Sequence, residues 1–174
     1  ARNGFTFSGW SDGADLRSAG ASITNVISNR TLTAQWTIAA PGTPGTPTAA
    51  PGNGSATITI SAPSTGGTPS SYTVTASPGG ATCTVTSPGT SCTIAPLSNG
   101  TAYTFTSTAT NTTGTSTSAS TESASVTPAG IPNSPTGVTG TGIGGTANIT
   151  WTLPTSDGGS AITAYVLEYS VEIS

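Results

Sequence analysis

The chain of 174 residues has no histidine, no lysine and no methionine, and only 5% of it is charged. Each absence removes a class of function. Without histidine or lysine, a serine or cysteine nucleophile lacks its ordinary base. The only cations are Arg2, Arg17 and Arg30, all near the start. No basic stripe exists to neutralise phosphates, which excludes nucleic acid as a partner. The six acids, Asp12, Asp15, Glu122, Asp157, Glu168 and Glu172, are scattered. Asp12 and Asp15 form the one close pair, read as a solvated turn: a calcium loop needs more oxygen ligands at regular spacing. Two cysteines and no histidine make no zinc site. The Gly-rich stretch Gly140–Gly145 lacks the lysine of a phosphate loop and reads as a turn. No metal, cofactor or catalytic residue is therefore expected, and no enzyme activity. No run of about 20 apolar residues is present, so no membrane-spanning helix is expected.

What is abundant is Thr, Ser, Gly, Ala and Pro. Such a bias fits either disorder, for want of apolar area to offset chain entropy, or a thin all-β module with threonine outer faces. Alternation decides for the second. Ala56, Ile58 and Ile60 alternate with threonine, as do Tyr72, Val74 and Ala76, and Tyr103, Phe105 and Ala109. A last strand contains Ala124 and Val126. About seven short strands separated by turn residues predict a β-sandwich over 46–128. Its expected core includes Ile58, Ile60, Tyr72, Val74, Leu97, Tyr103 and Phe105. Cys83 and Cys92 lie in two further β-patterned segments, joined by a hairpin-like connection that brings them together. A disulfide there predicts an oxidising, extracellular setting; two buried thiols are the alternative.

Ala39–Gly45, with its evenly spaced prolines, reads as an extended linker, and 129–134 as a second one. Beyond it the pattern repeats: Ala147, Ile149 and Trp151 alternate, Asp157–Gly158–Gly159 makes a loop, and Tyr165 lies 93 residues after Tyr72. Ile162, Tyr165, Leu167 and Tyr169 read as a third strand, with Trp151 and Tyr165 in a second core. Residues 135–174 hold only part of that pattern. They are expected to be completed by more of the same protein or by a strand from a neighbouring copy. Residues 1–38 hold two alternating strands with Trp10 and Trp36 as core anchors, around a polar middle with a turn or short helix.

Two resemblances follow from these residues. Gly4-Phe-Thr-Phe-Ser-Gly-Trp10, with Thr31-Leu-Thr-Ala-Gln-Trp36 some twenty residues on, resembles the C-terminal part of a Listeria–Bacteroides repeat of internalin B type. The series Ile60, Pro63, Gly66-Gly67, Tyr72-Thr-Val74, Leu97 with Tyr103, and Ala109-Thr-Asn111 before Gly114 resembles a fibronectin type III domain. It is complete over about 42–128 and partial over about 131–174. The resemblance implies tandem immunoglobulin-like sandwiches. It also implies that Tyr103 is a corner tyrosine whose hydroxyl bonds back to the chain. Ile60 stands where that family usually has tryptophan. The repeat family implies a bacterial secreted or surface protein, and the cysteine pair resembles the bacterial, secreted branch of the fibronectin type III family.

The functional expectation is a non-catalytic segment whose β-modules form a stalk, spacer, filament or surface-layer subunit. Its partners would be its own modules or neighbouring copies. The alternative is a glycan- or surface-binding accessory module of a polysaccharide-degrading enzyme or adhesin, which needs a row of exposed aromatics.

Overall fold

The computed structural model describes residues 2–13, 15–22 and 28–170. All regular structure among them is β, in twelve strands. The first unit is a three-stranded antiparallel sheet of β1 (Phe5–Ser11), β2 (Leu16–Arg17) and β3 (Thr33–Ile38), in the order β2-β1-β3. The pairing shifts between Phe7 and Gly9, a β-bulge. One extra residue there turns Trp10 onto the face of Phe7, which it would otherwise oppose. Phe7 then meets both Trp10 and Trp36 edge to face, with centroids 5.5 and 5.4 Å apart. This face is incompletely covered: Trp10, expected in a core, is 43% exposed, because no second layer lies over the sheet among the described residues. The expected solvated turn also differs. The Asp12 carboxylate is hidden beneath Arg30, with which it forms a short ion pair, while Asp15 stays exposed beside Arg17. A chain return that carries Arg30 over the β1–β2 turn supplies the counter-charge that makes such burial possible. Part of the polar middle where a short helix was allowed, residues 23–27, lies outside the described residues.

The central module has seven strands in two sheets. One sheet has the order β4-β5-β8, from β4 (Gly45–Gly52), β5 (Ser55–Ser61) and β8 (Ser91–Ile94). The other is β10-β9-β6-β7, from β6 (Ser71–Ser77), β7 (Thr82–Thr86), β9 (Thr104–Asn111) and β10 (Gly114–Thr115). Period-2 alternation sends Ala56, Ile58, Ile60, Tyr72, Val74, Phe105 and Ala109 inward, where Val85, Ile94, Leu97 and Tyr103 join them. Ile58, Val74 and Phe105 have no exposed surface. The opposite faces are hydroxyl-bearing: Thr48, Thr57, Thr59 and Thr93 on one sheet, Thr73, Thr75, Thr84, Thr106 and Thr108 on the other.

The stretch 39–45, expected as a linker, lies along this module instead of spanning free. Pro41 bridges to Gly66, and Pro41, Pro44 and Pro47 are all buried. Pro47 falls where the β4–β5 register shifts, on an edge strand, a position at which a missing N–H breaks no ladder.

The cysteine strands do not pair with each other as a hairpin. β7 pairs with β6 and β8 with β5, so the connection crosses from one sheet to the other. The Cys83–Cys92 disulfide, with Cα atoms 6.3 Å apart, thus ties the edge strands of opposite sheets.

The last unit contains β11 (Thr136–Ile143) and β12 (Thr146–Thr152), a hairpin turning at Gly144-Gly145. The expected third strand through Ile162–Tyr169 is not formed. In the central module its counterpart, β6, is held by β7 and β9 on both sides; no such strands flank 161–170 among the described residues. For the same reason Trp151 and Tyr165 are not core residues. Each is 38% exposed, and their rings pack on one another at 5.3 Å.

Replacing both Cys83 and Cys92 by serine is expected to cost about 2 kcal/mol. That lowers the melting temperature of the central module by roughly 10 °C. The loss should appear without reductant and vanish with it, as thermal unfolding followed by circular dichroism will test.

Candidate functional site

The residues with the most specific geometry surround β9. On one side its backbone pairs with β6 from Ser71↔Thr110 to Ser77↔Thr104. On the other, the segment after β10 does not continue as a regular strand, although alternation around Ala124 and Val126 predicted one. It bulges outward and returns at Ser116, Ser120, Ser123 and Val126. The N–H groups of the three serines donate to the carbonyls of Ala109, Ser107 and Phe105, at 2.7, 2.8 and 2.9 Å. The N–H groups of those same three β9 residues donate to the serine hydroxyls, at 3.2, 2.9 and 3.1 Å. Each hydroxyl passes its own proton to a nearby carbonyl, of Ser118, Thr121 or Ala124. A side chain thereby replaces the backbone acceptor lost when the returning chain bulges. Tyr103 and Val126 close the array with a mutual pair of backbone bonds at 2.8 and 3.0 Å.

The ends of β9 are also fixed. The Ser98 N–H donates to the Tyr103 hydroxyl at 3.1 Å. The buried Asn111 accepts from the N–H groups of Thr113 and Gly114 and donates from Nδ2 to Ala39 O at 2.9 Å. The three serines and Asn111 carry the signal that alternation alone missed: their spacing of three and four residues conceals a partner with period two, and serine ordinarily reads as surface.

Of the residues singled out in the sequence, Ile58, Ile60, Tyr72, Val74, Leu97, Tyr103 and Phe105 are buried together. Cys83 and Cys92 are half-buried at the sheet edges, and Trp151 with Tyr165 stands apart in the last unit. Burial pushes the Tyr72 phenol above its ordinary pKa. No group of three or more metal-binding side chains occurs among the described residues. Nor is any helix long and apolar enough to cross a membrane. The cavities are shallow and poor in chemistry. A groove of about 420 Å³ is lined mainly by the loops 62–69 and 87–90, and another of about 130 Å³ by Trp151, Tyr165 and Val138 among others.

Two face-to-face antiparallel sheets of three and four strands, with a corner tyrosine, define an immunoglobulin-like β-sandwich. Residues 42–126 match the family model of the fibronectin type III domain. Domains of that family are generally non-catalytic structural or binding modules. Among solved structures, the chain is similar to domains A168–A170 of titin, with 16% identity over 71% of this chain and 54% of that one, TM-score 0.47. It is also similar to the FN1–FN3 domains of chicken CNTN1, with 26% identity over 65% and 42% of the two chains, TM-score 0.47. The twitchin kinase region of C. elegans matches at 25% identity over 51% and 17%, TM-score 0.42. The chain thus spans about half or less of the length of these three proteins. No curated protein matches it.

The serine array yields a paired prediction. Ser120→Ala leaves the buried Ser107 N–H without its acceptor and is expected to cost about 1–3 kcal/mol. Ser107→Ala is expected to be neutral or stabilising, because the buried Ser107 hydroxyl has no hydrogen-bond partner. Chemical denaturation of the two variants tests both signs.

Proposed function

We propose that this chain is a non-catalytic structural segment of a large bacterial extracellular protein, its β-modules acting as a spacer that holds other parts at a distance. The observation that carries the reading is the surface of the central module. Both outer faces present threonine hydroxyls, the interior is filled by side chains, and no titratable cluster opens to solvent among the described residues. Such a body offers a reacting or charged ligand little to hold. Two further features support an extracellular setting: the disulfide, and a surface with few charges to respond to salt. The bacterial assignment rests on the resemblance of residues 1–38 to the internalin-type repeat.

The binding reading would rest on one aromatic cluster. Phe5, Phe7, Trp10 and Trp36 share a face of the first sheet and keep part of their surface exposed. Their geometry speaks against a flat sugar platform. The Phe7–Trp10 and Phe7–Trp36 planes meet at 67° and 69°, so the rings present edges to each other and no common plane to a glycan.

Pull-down of the whole chain on insoluble cellulose, chitin and peptidoglycan separates the two. The spacer reading expects the chain to stay in the supernatant. Retention that is lost on Trp10→Ala would replace it with the binding reading.

A further inference from the structure

The glycine pair in the loop after the second strand of each module sits against backbone that comes from outside that module's own sheets. In the central module this is Gly66-Gly67. The Gly67 N–H donates to Ala40 O at 3.0 Å, and the Gly42 N–H donates to Thr65 O at 2.9 Å. Ala39, one residue earlier, gives its N–H to Gly4 O at 3.1 Å and its carbonyl to Asn111 Nδ2 at 2.9 Å. The Thr113 hydroxyl donates to Ile38 O at 3.0 Å, at the end of β3. The first sheet is thereby bonded to the central module through main chain and through Asn111. A Cβ on Gly67 would overlap the Ala39 carbonyl oxygen and lie 2.8 Å from Asn111 Nδ2.

A related arrangement occurs 92 residues on, at Gly158-Gly159, with the Gly159 N–H turned to Asp157 Oδ1 at 2.8 Å instead of to the preceding segment. The Gly130 N–H donates to Gly158 O at 2.7 Å, and the Asn133 N–H to Ser156 O at 3.0 Å. A Cβ on Gly158 would overlap the Gly130 carbonyl oxygen, and one on Gly159 would lie 2.8 Å from the Asn99 backbone. The central module completes this joint from its far end. The Gly100 N–H donates to Pro128 O at 2.9 Å, and the Asn99 side chain accepts from Gly54 N–H and donates to Asn53 Oδ1.

We propose that the Gly-Gly loop of each module is a latch for the backbone of the segment ahead of it, and that the latch holds successive units at a fixed angle. Turn conformation alone does not account for these glycines. Gly66, Gly158 and Gly159 have positive φ, which favours glycine on its own account. Gly67 and Gly130 do not, so at these two positions the close approach of neighbouring atoms is what a side chain would disturb. The hydrogen bonds between units use main-chain, amide and hydroxyl groups, and the one carboxylate, Asp157, accepts from the Gly159 N–H within its own loop. The strength of the latch is therefore expected to be independent of salt, unlike a joint made by surface ion pairs. A stiff joint suits a spacer, since a floppy tether of the same length holds its ends closer on average. The proposal rests on the spacer reading for that purpose, though not for its geometry.

The test is 15N relaxation on the whole chain. The wild type is expected to give one shared rotational diffusion tensor for the amides of 5–11, 33–38 and 56–111, unchanged by 0.5 M NaCl (a concentration chosen to shorten screening below about 5 Å). Gly67→Ala is expected to abolish the shared tensor, the first sheet tumbling faster while the β5, β6 and β9 amides keep their shifts. If Gly67→Ala unfolds the module, Gly130→Ala decides at the other joint, since it lies outside the sandwich; there the hairpin amides of 136–152 are expected to tumble apart from the module. Independent tumbling in the wild type would overturn the latch and leave a flexible spacer standing. Wild-type tumbling in both variants would overturn it equally. Glycan retention would remove the spacer reading while leaving the joint intact.

Discussion

The structure depends on one constraint: every backbone polar group of β9 needs a partner, on both of its sides. β9 carries Phe105 and Ala109 into the core, and a buried strand with an unpaired edge is costly, since each orphaned N–H or C=O loses the bonds it had to water. β6 satisfies one side. On the other the chain has Thr, Ser and Ala, with little to pack, and it loops away between contacts. Serine hydroxyls make that loose return possible by accepting the N–H bonds that a straight strand's carbonyls would have taken. The core, the corner at Tyr103 and the turn at Asn111 all hang on this strand.

The small core follows from the same economy of side chains. The apolar cluster, Ile60 included, is built largely of Ala, Val and Ile around three aromatics and Leu97. The disulfide links the two sheets at the edge where β7 and β8 belong to different sheets and exchange no ladder bonds. Elsewhere the sandwich is closed by main chain: the buried prolines of the segment 41–47 on one flank, the serine return on the other.

Alternation made the central core legible, because period two survives whatever the partners are: Ile58, Val74 and Phe105 were readable as inward-facing without knowing what they touched. Features set by partners were not. The bulge at Ser8–Gly9 changes which face Trp10 joins, and no local pattern announces it. Trp151 and Tyr165 repeat the core pattern faithfully, yet burial requires a second layer, which local sequence does not supply. Ala39–Gly45 has the composition of a free linker, and only the glycine-lined surface facing it makes it part of a joint. The serines fell on the same blind side, since a hydroxyl facing water and one accepting a buried N–H look alike in a sequence.

The claim that β9 is satisfied on both sides has a direct measurement in amide hydrogen exchange of the whole chain. The amides of Phe105, Ser107 and Ala109, which donate to serine hydroxyls, are predicted to exchange only through global unfolding, as slowly as those of Thr106 and Thr108, which face β6. Exchange of these three at the rate of exposed loop amides, with the β6-facing amides still protected, would contradict the account.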